Sequence, residues 1–410
     1  MAGIVYNFGL FAGSWKGGGQ LMAGKKRDGT VQYTTIKVRL YPDDVQIELF
    51  EKTFGCCRYI WNQMLADQRR FYLETGAHFI PTPAKYKKGA PFLREVDNQA
   101  LIQEHNKLSQ AFRVFFKNPE SFGHPSFKRK KNDRDSFTAC NHVFESGPTI
   151  YITRDGIRMT KAGVVRARFS RRPRNGWKLK RVTVTKTRTG KYYGCILYEY
   201  PAKEQSPVIP TPEKTLGIKY SMQHFYVADD GSAADPPRWL KLSQEKLTKL
   251  QQRLSRMKPG SRNYEEAVQK YRLLHEHIAN QRHDFIHKES RRIANAWDAV
   301  CVRGDSIQEL SRKMTLGNAM EAGFGMFREC LRYKLARQGK TLITVDRCAP
   351  TSRTCSACGL VLDSGVDFKK SLWKCPRCGA VHQREVNAAK NIKAQGLDQY
   401  YQKQELRVSA

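Results

Sequence analysis

The sequence predicts a multidomain α+β protein: a small antiparallel β-barrel interrupted by a helical unit, followed by an α/β layer that carries a metal-binding ribbon. Three observations predict it. Residues 34–41 alternate apolar and polar side chains with the period of a strand, and strand-like segments resume only from residue 139, after a stretch with three- and four-residue apolar spacing. From residue 215 to 346, strand-like and helix-like segments alternate, the pattern of an α/β layer. Towards the C-terminus, two C-x2-C pairs are separated by sixteen residues.

Composition narrows the partners. The 410 residues suggest about two to four modules, and the plentiful Phe, Tyr and Trp argue against disorder of the whole chain. The formal net charge is +34, from 72 Lys+Arg against 38 Asp+Glu. Such an excess strains a compact fold unless a polyanion neutralises it, which points to nucleic acid. Solubility alone needs far less charge, and a membrane surface is the other alternative. No run reaches the ~20 apolar residues of a membrane helix. The N-terminal apolar patch lacks a preceding basic residue and continues into Gly-rich sequence, so no signal peptide is expected. Residues 1–33 are expected to be a flexible extension. Eleven cysteines in such a chain argue for a reducing compartment. Cys56, Cys57, Cys140, Cys195, Cys301, Cys330 and Cys348 are expected to be core thiols.

In chain order, YTTIKVRLYP (33–42) reads as a half-buried strand, and Pro42-Asp43-Asp44 as a turn and helix start. A helix follows, expected to break near Gly55. A Pro- and Lys-rich loop leads to a second amphipathic helix from Asp97. FGHPSFKRKKNDRDSFT (122–138) is a basic loop with interspersed phenylalanines. Short strands fill 139–200, with hairpin corners at Asp155-Gly156 and Thr189-Gly190. The prolines of 203–214 mark a linker. Two helices over 242–290 are divided at Pro259-Gly260, and Leu247, Leu250 and Leu254 form one apolar stripe on the first. They are expected to pack on a sheet, with a basic outer face that is either simply solvated or lines a duplex. Residues 299–302 read as a buried strand, followed by a helix and the strand TLITVD.

Cys355-Ser-Ala-Cys358 and Cys375-Pro-Arg-Cys378 fit the zinc-ribbon spacing. Each two-residue gap lets a tight knuckle present two thiolates to one Zn2+, and four thiolates leave no open position, so the ion is structural. Gly359 and Gly379 suit the knuckle turns; His382 lies close but is not needed as a ligand. Two redox pairs are the alternative.

TLGIKYSMQHFYVADDG (215–231), HDFIHK (283–288), WDAVCVR (297–303), SRTCSACG, WKCPRCG and HQREVNAAKNI (382–392) occur in this order. Together with IKVRLYP and FGHPSFKRKK, the set resembles TnpB, the compact RNA-guided nuclease of bacterial transposons and relative of the small type V CRISPR effectors. The resemblance spans about residues 34–395. It implies a wedge β-barrel (34–42 plus 134–202) with an inserted helical recognition unit (43–133). It further implies a linker (203–214), an RNase H-like, RuvC-like domain (215–349 plus 381–396), an inserted zinc ribbon (350–380) and a tail (397–410). It also implies a guide RNA, double-stranded target DNA with a short adjacent motif, and a place in the bacterial cytoplasm at the nucleoid, while the compact length favours one protein monomer per guide. Base pairing would read the sequence while the protein holds backbone and heteroduplex shape.

RuvC-like cleavage holds two Mg2+ ions on a few carboxylates. The family's first acid stands in G-[IV]-D, where this chain has Gly217-Ile218-Lys219. Counting without gaps from His287-Lys288, the second falls on Arg303. The third corresponds to Glu385, and the neighbouring acid two residues earlier is Gln383. Three carboxylates would carry −3; Lys219, Arg303 and Glu385 carry +1 +1 −1, or +1. Hard divalent cations need anionic oxygens, so no catalytic Mg2+ is expected, and Asp305 and Glu309 do not substitute. Lys219 and Arg303 could stand where the ions stood, with Glu385 as counter-ion. The expectation is a nuclease-dead guided binder that represses transcription, as known domesticated relatives do. An active nuclease with rearranged acids, or a guide-binding subunit that recruits transcription machinery, are the other readings.

For nucleic-acid contact, Lys128, Arg129, Lys130 and Lys131 with Phe127 and Phe137 offer charge and stacking. Arg171, Arg172, Arg174 and Trp177 are a second candidate set. Lys246, Lys249, Arg253 and Arg256 line the helical hairpin, and Asn98 and Gln99 open a helix of the recognition unit. Each loop is otherwise an exposed basic segment without defined contact.

Overall fold

The computed structural model describes residues 31–408 apart from 131–134, 203–205, 222–223, 236–237, 305–320 and 364–370. The expected N-terminal extension lies almost wholly outside the described residues, as do Lys131, Asp305 and Glu309. Two compact units divide at Lys203/Glu204, within the sequence-predicted linker.

In the first unit, β1 (Val31–Tyr41) leads into α1 (Asp44–Thr75), two short 3-10 turns and α2 (Asn98–Lys117). Then come β2 (Ser136–Cys140), the small strands β3 (Val143–Phe144), β4 (Gly147–Pro148) and β5 (Tyr151–Ile152), β6 (Gly156–Met159), β7 (Gly163–Arg168), β8 (Lys178–Lys186) and β9 (Tyr192–Pro201). Seven of these form one antiparallel sheet in the order β2-β8-β9-β1-β7-β6-β5. The edges β2 and β5 do not pair with each other, so the expected barrel is an open half-barrel. β1 obeys the period of two: Thr34, Ile36, Val38 and Leu40 are buried, while Tyr33, Thr35, Lys37 and Tyr41 are exposed.

Asp43 caps α1 by accepting from the Gln46 amide at 2.8 Å, and the Gln46 side chain reaches back to the Asp43 N–H at 3.2 Å. The helix then runs unbroken through Gly55, contrary to the expected break. A glycine costs a helix interior only about 1 kcal/mol, and the flanking Phe54, Cys56 and Cys57 are locked in the core. α1 lays Phe50, Phe54, Ile60, Met64 and Leu65 into that core with β1, β8 and β9. Cys348, expected in a core, is exposed; Cys140 and Cys195 are half-buried.

The second unit opens with β10 (Thr215–Tyr220), β11 (Tyr226–Ala228) and β12 (Ala233–Ala234), an antiparallel meander. Helices α3 (Arg238–Ser255) and α4 (Arg262–Ala296) form the expected hairpin, with Ser261 capping α4. β13 (Ala299–Arg303) pairs parallel to β10, and after α5 (Glu321–Ala336), β14 (Thr341–Val345) pairs parallel to β13. A ribbon hairpin, β15 (Leu372–Lys374) with β16 (Val381–Gln383), leads into α6 (Arg384–Val408). The main sheet reads β12-β11-β10-β13-β14.

Its two faces are covered differently. Leu216, Ile218, Val300 and Val302 pack against Ile286 and Ile293 of α4 and Phe324, Phe327 and Leu331 of α5. Ala299, Cys301, Ile343 and Val345 pack with Ile392 of α6 on the other face. That second contact is close: a Cβ on Gly217 would lie 2.3 Å from the Ala389 carbonyl oxygen. No helix among the described residues is long and apolar enough to cross a membrane.

Candidate functional site

The four cysteines converge. Their sulfurs lie within 4.8 Å of one another, with Cys355–Cys378 and Cys358–Cys375 each 3.7 Å apart. Thiolates about 2.3 Å from a tetrahedral Zn2+ stand about 3.8 Å from each other, so the arrangement fits one ion. The two knuckles repeat the same bonds. Gly359 N donates to Cys355 O and Cys355 N to Leu360 O; Gly379 N donates to Cys375 O and Cys375 N to Ala380 O. Gly359 and Gly379 hold φ of 76° and 73°, which explains glycine at both positions. Backbone N–H groups of Cys378 and Arg377 lower the Cys375 thiol below its ordinary value.

His382 stands beside the four-sulfur group: its Nε2 lies 3.1 Å from Cys355 Sγ, and its ring packs on Trp373. Two residues that sequence reasoning passed over fasten the first knuckle to α6. Asn387 accepts from Ser356 N at 2.9 Å and donates to Thr354 O at 2.8 Å, while Asn391 donates to Thr351 O and Thr354 O at 2.8 and 2.6 Å. Both asparagines are buried. Their spacing of four on a helix was the available signal.

On the α6 side of the main sheet, the parallel register runs from Thr215–Ala299 to Ile218–Val302. The next residues, Lys219 and Arg303, therefore stand side by side near the carboxyl ends of adjacent strands, on the face that carries Gly217 and Cys301. Lys219 Nζ donates to Tyr220 O at 2.9 Å, and the Arg303 guanidinium donates through Nε to Arg347 O at 3.1 Å and through Nη2 to the same oxygen. Glu385, in the first turn of α6, accepts from Ser221 Oγ at 3.0 Å. Another carboxylate, Asp229, reaches β10 but accepts from Gly217 N at 2.7 Å and pairs with Lys393 at 2.9 Å. Gln383 closes the ribbon hairpin opposite Leu372. Among the described residues, the four-cysteine group is the cluster of three or more His, Cys, Asp or Glu side chains close enough to share an ion.

The nucleic-acid candidates divide. Phe137 lies in the core of the first unit, 5.4 Å from Phe50 and 5.5 Å from Phe54 between ring centroids, so it is no stacking platform. Lys128 pairs at 2.6 Å with Glu104, whose side chain is wholly buried, and lies over the Trp61 ring. It is a structural cation. Phe127, Arg129 and Lys130 are exposed, with Arg69 over the Phe127 ring. Trp177 stacks on Tyr200 and packs against the core, Arg171 and Arg172 donate to Thr35 O and Arg154 O, and Arg174 is exposed. Lys246, Lys249, Arg253 and Arg256 are exposed on or just beyond α3. Asn98 accepts from Lys87 Nζ, and the Gln99 amide donates to Asp97, the α2 cap.

Comparison with known proteins bears on this geometry. Residues 324–392 match the family profile described as "Cas12f1-like, TNB domain", residues 196–312 the IS605 OrfB profile described as "Probable transposase", and residues 32–77 the IS605 OrfB "Helix-turn-helix domain". Here that last segment folds as β1 and the single helix α1. A Streptomyces pristinaespiralis protein described as "Putative RNA-guided DNA endonuclease" is 30% identical, with 88% of this chain and 89% of the relative covered. The Escherichia coli K12 protein "Putative RNA-guided DNA endonuclease InsQ" is 27% identical over 88% of this chain and 91% of its own. A Cas12f1 chain, solved in a complex with single-guide RNA and target DNA, shares the fold at a TM-score of 0.55 and 12% identity, covering 88% of this chain and 98% of that one. From the ordered motifs, the ribbon and a relative matched along nearly its whole length, the chain belongs to the TnpB family, the OrfB proteins of IS605-type elements.

Proposed function

We propose that this protein is a nuclease-inactive, RNA-guided DNA-binding protein that represses transcription by occupying a guide-matched duplex and excluding RNA polymerase. One observation carries the reading: Lys219 and Arg303 end adjacent parallel strands, where a working RuvC-like site would hold metal-binding acids. The strand order β12-β11-β10-β13-β14, with a meander followed by two parallel strands, supports the RuvC-like assignment. Two cations repel Mg2+, and Glu385 alone does not offset them. Asp229, held by Lys393 and a backbone amide, supports no rearranged acid set.

The residues that remain perform binding. Lys219 and Arg303, with Glu385 as counter-ion, keep the strand ends packed without a metal and hold a target-strand phosphate in place of cutting beside it. Zn2+ held by Cys355, Cys358, Cys375 and Cys378 fixes the ribbon. Phe127, Arg129, Lys130, Arg174, Lys246, Lys249 and Arg253 supply phosphate and stacking contacts, and Asn98 and Gln99 face the adjacent motif. The +34 charge suits a guide RNA and a target duplex, one protein per guide, at the bacterial nucleoid. RNA copurified from the native host and sequenced tests this: a single abundant species whose 3′ end matches a host promoter supports it, and a random mixture refutes it.

A further inference from the structure

The short strand β16 turns one side chain inward. Val381 and Gln383 are exposed, while His382 between them is buried. The register sets His382 across from Trp373, and their ring centroids lie 4.9 Å apart. Held in this way, the imidazole brings Nε2 to 3.1 Å from Cys355 Sγ, a sulfur that is itself buried.

Two roles fit such a contact, ligand or donor, and the distances choose between them. A nitrogen about 2.05 Å and a sulfur about 2.3 Å from one tetrahedral Zn2+ stand about 3.6 Å apart. The contact of 3.1 Å is shorter, and the four sulfurs, all within 4.8 Å of one another, already fill a tetrahedron. The ring therefore lies outside the ligand set. A thiolate that binds metal has given up its proton, so a nitrogen this close is attracted only if it carries the hydrogen. The direction of the bond follows: Nε2–H donates and the Cys355 sulfur accepts.

We infer that His382 is a positioning residue of the zinc ribbon, giving Cys355 an N–H···S bond that helps to retain the ion. Four thiolates around one Zn2+ leave a net charge of about −2, and a donor aimed at a buried sulfur offsets part of it. The bond also crosses the ribbon. Cys355 belongs to the first knuckle, whereas His382 follows the second knuckle on the β15–β16 hairpin. Asn387 and Asn391 meanwhile hold Thr354 and Ser356, the two neighbours of Cys355, from α6. Backbone and sulfur of this cysteine are thus fixed from two separate elements. Cys378 is the exposed sulfur of the set, so a chelator enters on that side, and His382 anchors the thiolate on the enclosed one. The inference rests on the zinc ribbon of the proposed function.

The test uses the full-length protein loaded in turn with Zn2+, Co2+ and an NMR-active cadmium isotope, with two variants. His382→Phe keeps a ring against Trp373 and removes the donor; His382→Gln keeps a donor. The Phe variant is expected to release zinc to a chromogenic chelator about 10-fold faster. Its thiolate-to-cobalt charge-transfer band is expected at longer wavelength, because a thiolate without its donor is richer in electrons. The Gln variant is expected near wild type in both readouts. A Phe variant that matches wild type in rate and spectrum, or a Gln variant as impaired as Phe, overturns the inference. Should a variant fail to fold, the cadmium-loaded wild type decides: scalar coupling between the metal and the His382 Nε2 proton supports the bond, and its absence overturns it. Wild-type protein that takes up none of the three ions would overturn the ribbon reading itself, an outcome distinct from failure of the His382 role.

Discussion

In the proposed function, the positive charges of Lys219 and Arg303 are what separate binding from cutting. The replacement Lys219→Asp, Arg303→Glu and Glu385→Asp, made together, is expected to create Mg2+ uptake detectable by calorimetry; a flat titration would refute the site assignment. Lys128 was read from sequence as a nucleic-acid contact because it sits in a basic run. The structure pairs it with buried Glu104, a partner 24 residues away that no local pattern announces. Lys128→Ala should therefore lower stability by about 2 kcal/mol in urea while leaving the salt slope of nucleic-acid binding unchanged. Lys334 offers a different readout. Buried between α4 and α5, it donates to His287 O and Ser290 Oγ, and burial lowers its pKa to about 8. An unfolded lysine stays protonated to about 10.4, so between about pH 8 and 10.4 the unfolded chain binds more protons at this residue. The stability of wild type relative to Lys334→Met should rise with pH through that window; a constant difference would show that Lys334 titrates normally.

Individual elements were readable where their signals were local. The zinc knuckles follow from two-residue gaps, β1 from its alternation, and the α3–α4 hairpin from Pro259-Gly260. Elements whose definition depends on distant packing were not. The helix through Gly55 survives because its flanks are buried by strands far along the chain, and Phe137 becomes core because β2 pairs with β8. Arg39 of β1 and Tyr193 of β9 lie about 150 residues apart in the chain, and only the register brings them together. The Asn387 and Asn391 clamp was likewise invisible until the knuckle lay against α6. Chelation should release one zinc per chain and destabilise the ribbon, and Asn387→Ala should speed zinc loss to a chromogenic chelator without altering stoichiometry. Gly217→Ala, which sets a methyl against the Ala389 carbonyl, should loosen α6 and cost about 2 kcal/mol.

For the whole molecule, the two-part organisation and the family were present in the order of motifs, because each short motif fixes one strand end, helix start or knuckle. The open edge between β2 and β5, which makes the first sheet a half-barrel, was not, since closure depends on curvature rather than on any segment's pattern. Charge is the whole-molecule property that the sequence states outright, and it sets the demand for a polyanion without saying which one. The central claim is that the protein docks on guided DNA and leaves it intact. Protein purified with its RNA, mixed with labelled duplex matching that RNA and beside its adjacent motif, measures this most directly when binding and strand breakage are read together with and without Mg2+. The expected result is tight occupancy, independent of Mg2+, with every strand full length; guide-directed, Mg2+-dependent nicks would contradict it.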